Sequence, residues 1–166
     1  WAYGADSHQA WADNFHTAYI LTSLSRINIP AQAGGQGGLA SQDSQTEVDG
    51  TQLDFNNALL RGYDFWTEQF FLPNGWPGYF PDRLYPVDIH SAASAIVALV
   101  ELRGHMPNTL IRANEIAAWS LVNLRDPRGF FYYQKRRFFT VKIPYMRWSE
   151  AWMMYALSLL REALEK

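Results

Sequence analysis

Cysteine is absent from the chain. That excludes disulfide frameworks, thiolate metal sites and cysteine nucleophiles, and it fits a reducing, cytoplasmic setting. Charge is sparse too: charged residues make up 18% of the sequence and the net charge is −2. With no basic block, the electrostatic footprint that nucleic acid requires is missing. No apolar run reaches the roughly 18 residues of a membrane span, and no signal-peptide pattern opens the chain. The first residues, Trp1-Ala2-Tyr3-Gly4, read as the interior of a longer protein whose N-terminal hairpins precede them.

Aromatic side chains are what the sequence has in excess. Seven Trp, nine Tyr and ten Phe bring the aromatic share to 16%, which calls for large buried faces or for stacking surfaces that meet a ligand. The 166 residues, 48% of them hydrophobic, fit one globular domain.

The 3.6-residue spacing of apolar positions predicts five helices and an all-α fold with one β-ribbon. The first covers residues 8–27, capped by Asp6 or Ser7 and stopped by Pro30. Residues 31–52 are rich in Gly, Gln and Ser and read as a flexible loop. A second helix covers 53–71, before a run of prolines and glycines from Pro73 to Pro86 that forbids helix. Asp88 caps a third helix, apolar nearly all round, that ends at Arg103-Gly104. Asn108 caps a fourth over 109–124. Residues 130–140 read as a hairpin tipped by Gln134-Lys135-Arg136-Arg137, and a fifth helix covers 148–164.

The helix starts resemble one another. Phe15-His16-Thr17-Ala18 matches Ile89-His90-Ser91-Ala92, and Trp148-Ser149-Glu150-Ala151 is a looser third copy. A Gly/aromatic element precedes each, namely Trp1 to Gly4, Gly78-Tyr79-Phe80 and Gly129-Phe130-Phe131-Tyr132. An aromatic lead-in, an inner helix and an outer helix thus recur about every 60 residues, and such units bury their apolar faces only against their neighbours. Stacked about an axis they form about half of a toroid, with the inner helix starts gathered at one mouth. A second copy of the chain would be one way to complete the ring.

That mouth collects Asp13, Asn14, His16, Asp88, His90, Tyr145, Arg147, Trp148 and Glu150, and the lead-ins add Tyr3, Tyr79, Tyr133 and Arg137. Aromatic faces stack on the C–H faces of pyranoses, carboxylates and amides bind hydroxyls, and helix N-termini with Arg147 suit an acidic sugar. Glu150, Asp88, His90 and His16 are the candidate acid–base groups, with Arg147, Trp148, Tyr145, Tyr133, Tyr79, Asn14, Asp13 and Arg137 as candidate sugar contacts. Each has a plainer reading. Asp88 is also a good N-cap, Glu150 favours a helix dipole, and both histidines suit hydrogen-bonded core positions. The histidines lack ligand spacing, so no metal is expected, and no cofactor either. The glycines from Gly34 to Gly38 follow no strand and open no helix, which rules out a phosphate loop.

Several stretches carry a resemblance: Gly78-Tyr79-Phe80, Tyr85 to Ala92, Phe131 to Lys135, and Ile143 to Trp152. They resemble bacterial helical proteins of polysaccharide-biosynthesis loci. More distantly they are similar to the (α/α) toroid superfamily of six-hairpin glycosidases, N-acylglucosamine 2-epimerases and the helical domain of glucuronyl C5-epimerases. The resemblance implies carbohydrate processing at the mouth, of hydrolase, lyase or epimerase type. A glycan-binding or scaffold module without chemistry is the second reading. An isoprenoid-handling toroid is the third, although Asp82 and Asp88 stand alone where Asp-rich diphosphate motifs belong.

Overall fold

The structure is a computed structural model and describes Asp6, residues 11–27 and residues 50–166. Five α-helices dominate these residues: α1 (Asn14–Ile27), α2 (Gly50–Phe70), α3 (Ile89–Glu101), α4 (Thr109–Asn123) and α5 (Trp152–Leu164). One three-stranded antiparallel sheet joins β1 (Val87–Asp88), β2 (Gln134–Lys135) and β3 (Thr140–Val141) in that order. The all-α expectation with a single ribbon holds.

Boundaries differ where a side chain meets a backbone group that periodicity does not register. α1 starts at Asn14 instead of residue 8 because Asp13 caps it, its Oδ1 accepting the His16 N–H at 2.8 Å. Of the expected caps, Asp6 stands in a bend and Ser7 lies outside the described residues. α2 begins at Gly50, so the end of the expected 31–52 loop is helical; residues 31–49 lie outside the described residues. Asn108 takes a left-handed conformation (φ 59°) and makes no side-chain cap. The hairpin is shorter than expected, with Gln134 and Lys135 inside a strand and residues 136–139 as the tip. Burial of Gln134 beside Asp88 fixes that register. A π-turn, Met146–Ala151, precedes α5, which therefore starts as regular helix at Trp152 instead of 148.

A repeat is visible in backbone bonding. After α2, Gly78 donates to the Phe70 carbonyl, Leu72 to Trp76 and Gly75 to Leu72. After α4, Tyr132 donates to Leu124, Asp126 to Phe130 and Gly129 to Asp126, the same turn displaced by 54 residues. The next residue of each turn reaches back to the preceding inner helix: Asn14 donates to the Tyr79 carbonyl and Ile89 to the Tyr133 carbonyl. That bonding makes Asp13 equivalent to Asp88, 75 residues on. It corrects the expected His16–His90 match by one position, pairing Phe15 with His90 and His16 with Ser91. One helical residue is about 100° of rotation, so the two histidines leave their helices in different directions.

The helices form two layers. α3 lies between α1 and α5 in one, with α2 against α1 and α4 against α3 and α5 in the other. Arg112 of α4 reaches the Thr67 carbonyl of α2. Every residue of α3 from Ile89 to Val100 is buried, and Leu21, Leu59, Trp66, Phe70, Ile116, Leu124 and Met153 fill the space around it. Among the described residues no helix is long and apolar enough to cross a membrane.

Both turn glycines need positive φ, 80° at Gly75 and 106° at Gly129. At Gly75 a Cβ would stand 2.5 Å from the Glu115 carbonyl oxygen, whereas at Gly129 its nearest neighbour is the Arg125 guanidinium at 4.0 Å. Gly129→Ala is therefore expected to lose only the backbone term, about 1–2 kcal/mol. Gly75→Ala should lose about 1–3 kcal/mol more by forcing α4 away from the turn. Denaturant unfolding of the two variants checks the order.

Candidate functional site

The starts of α1 and α3, the two described lead-ins and the π-turn meet in one aromatic cluster. Its centre is His90, which stands two residues after the Asp88 cap and is 4% exposed. Phe15, Trp148 and Trp152 pack edge-on to its ring at centroid distances of 5.2, 5.1 and 4.9 Å. Nε2 of His90 lies 2.9 Å from the Tyr19 hydroxyl, and Nδ1 has no hydrogen-bond partner among the described residues. An orphaned lone pair is better tolerated in a protein interior than an orphaned N–H. Placing the proton of a neutral His90 on Nε2, where Tyr19 can accept it, leaves only the Nδ1 lone pair unpartnered among the described residues.

His16 sits on the outer side of the same cluster. Its Nδ1 meets Asp13 Oδ2 at 2.6 Å, and its side chain is 39% exposed while that of Asp13 is fully buried. Nδ1 is thus the ring nitrogen held toward Asp13, and Nε2 the one that does not face the carboxylate. Asp13 thus has two tasks, capping α1 with one oxygen and orienting the imidazole with the other.

Two of the expected acids are committed to the fold. Asp88 is 3% exposed; Oδ1 accepts the His90 N–H at 2.8 Å and Oδ2 the Gln134 amide at 3.2 Å. Arg136 in turn donates to Gln134 Oε1. Glu150 accepts the Phe131 N–H at 2.9 Å and pins the lead-in to the π-turn. Asn14 is fully buried, its amide donating to the Gly78 carbonyl and accepting from the Trp66 indole. It ties the start of α1 to the lead-in and to α2.

The remaining expected contacts divide. Tyr79 packs on Phe15 and Phe80. Tyr133 and Tyr145 pack on each other at 5.0 Å. Trp148 and Tyr145 are 44% and 42% exposed, and Trp148 stands at the surface beside His90. The Arg147 guanidinium lies over the Trp148 ring at 5.0 Å, and that of Arg137 over Phe138 in the hairpin tip. Tyr3 lies outside the described residues. Sequence reasoning missed Tyr19 and Trp152, because both stand at core spacing on apolar helix faces. The signal available was a Tyr one helical turn after His16.

Electrostatics follow burial. Desolvation raises Tyr19 to about 12, with Asp13 adding to the rise, and it raises Tyr79 and Tyr133 as well. Asp88 is pushed up to about 6 by burial, against the hydrogen bonds from the His90 and Ser91 amides and from Gln134. His90 is pulled down to about 4, chiefly by burial and then by the neighbouring His16, while Asp13 opposes. No cluster of three or more metal-ligating side chains occurs among the described residues. The chain matches no protein-family model, no curated protein and no solved structure.

The Asp88 and His90 shifts have opposite consequences over one pH window. Asp88, raised in the fold, contributes stability that is full below its unfolded value near 4 and is lost as pH rises through about 6. His90, depressed in the fold, contributes stability that is full above about 6.5 and is lost as pH falls through about 4. The wild-type contributions largely cancel between these limits. Asp88→Asn should leave a protein that loses stability on acidification relative to wild type, and His90→Gln one that gains it. Each slope is at most about 1.4 kcal/mol per pH unit. Urea unfolding between pH 4 and 6.5 measures both.

Proposed function

We propose that the chain is part of an α/α toroid that processes an acidic carbohydrate at its mouth, by proton transfer of lyase or epimerase type. The observation that carries the reading is the His16–Asp13 pair, an oriented and partly exposed imidazole, one helical turn before Tyr19, a phenol that burial keeps protonated at neutral pH. A hydrolase needs two carboxyl groups facing a glycosidic bond, and Asp88 and Glu150 are held by backbone and amide donors. Removal of a proton α to a sugar carboxylate needs a neutral base and an acid instead. His16 Nε2 takes that proton. Tyr19 returns one to the opposite face of the carbanion in an epimerase, or to the departing glycosidic oxygen as a C=C bond forms in a lyase. Trp148 and Tyr145 offer the stacking faces.

The commitment of Asp88 and Glu150 to the fold equally suits a second reading, a glycan-binding module without chemistry. One experiment separates the two. The protein is incubated with polygalacturonate, alginate and a neutral glucan in deuterated water. Deuterium at C5 is followed by NMR, and unsaturated uronate by ultraviolet absorbance. Exchange or elimination is expected with an acidic polymer alone, reduced about 100- to 10,000-fold in His16→Gln with binding retained. Trp148→Ala should weaken binding by about tenfold, the loss of one stacking face. Binding without exchange or elimination selects the module, and a folded protein that binds none of the three polymers overturns both readings.

A further inference from the structure

Next to the aromatic cluster the surface opens into a hollow of about 430 Å³ lined by Trp11, Ala12, Phe80, Pro81, Asp82 and Arg83. Its size falls within the range of small-molecule sites, about 300–1,000 Å³. A second hollow of about 330 Å³ shares Phe80 to Arg83 and continues toward Trp76 and Leu84. None of these residues takes part in the acid–base cluster, but one joins the two regions. Trp11 packs edge-on to the His16 ring at 6.4 Å and to Phe80 at 6.1 Å. Whatever lies against Trp11 is therefore next to His16.

The lining has two complementary kinds of group. Trp11 is 36% exposed and presents an indole, the largest stacking surface a side chain offers. Arg83 lies over the Phe80 ring at 4.7 Å with its guanidinium held in a plane, and its partner is the exposed Asp82 at 3.1 Å. Exposed pairs of that kind contribute little to stability, so a stronger acceptor displaces Asp82 readily. A ligand carboxylate is such an acceptor, taking both guanidinium N–H groups at once. Asp82, once released, accepts from a ring hydroxyl.

We propose that this hollow is a binding subsite for one acidic sugar residue of an extended chain, stacked on Trp11 with its carboxylate on Arg83. The proposal rests on the acidic-carbohydrate reading above and adds a direction to it, since the polymer then runs from the Trp148 side across His16 to Arg83.

The test is calorimetric titration of the whole chain with uronate oligomers of two and six residues, and with neutral glucan oligomers of the same lengths. Wild type, Arg83→Gln, Arg83→Lys, Trp11→Ala and Trp11→Phe are compared, with thermal unfolding to verify folding. For the acidic six-residue oligomer Arg83→Gln should raise Kd about tenfold or more while Arg83→Lys retains part of the affinity. Trp11→Phe should lose less than Trp11→Ala. The two-residue oligomer, which fits the Trp148 side alone, should be affected little. If the acidic oligomers bind wild type but Arg83→Gln leaves the six-residue Kd unchanged, the subsite is wrong and the acidic-carbohydrate reading stands. If no acidic oligomer binds folded wild type, both fall.

Discussion

The arrangement depends on one constraint, that α3 has no face left for water. An unbroken buried run from Ile89 to Val100 requires apolar cover on every side. α1, α4 and α5 supply it along the length of the helix. The first turn of such a helix is buried too, and its unpaired N–H groups need acceptors that the apolar neighbours lack. Asp88 meets that need, and its second oxygen draws Gln134 and the β-ribbon over the helix start. The aromatic cluster is thus built on the terminus of a core helix, which gives it the rigidity that a binding site benefits from.

How much of this was legible follows from the kind of signal each feature leaves. Helices packed by repeated apolar spacing were readable, and so was the Asp88 cap, since its acid stands directly before an apolar run. The start of α1 was misread because the polar residue that ends it, Asp13, lies within a stretch whose spacing still suits a helix. The repeat was visible as a likeness of letters, yet its register was one residue out. Letters align side chains, and the turns repeat hydrogen bonds. The match of His16 to His90 hid that Phe15 is the counterpart of His90, and with it the reason one imidazole is buried while the other meets solvent.

Among the site residues, position along the chain marked the helix starts and said little about tasks. Asp88, Glu150 and Asn14 stand at the helix starts as expected, but their oxygens and amides are engaged by neighbouring backbone and side chains. Those bonds join residues far apart in sequence, as Asn14 with Gly78 and Trp66 does, so no local pattern announces them. Tyr19 shows the converse. Its aromatic body suits an apolar face, and only the approach of α3 reveals that its hydroxyl meets an imidazole. The amphipathic character of tyrosine leaves its use undecided until its neighbours are known.

From the end of α2 and from the end of α4 the chain follows a turn of the same bonded span, fixed by three backbone hydrogen bonds and a positive-φ glycine. The residue after each turn bonds the start of another helix, Tyr79 to Asn14 and Tyr133 to Ile89. Each turn is therefore a gauge, measuring a fixed number of residues between the helix end it leaves and the helix start it meets. A residue inserted or deleted within it would put the two out of step, and the aromatic cluster built on those helix starts would feel the change.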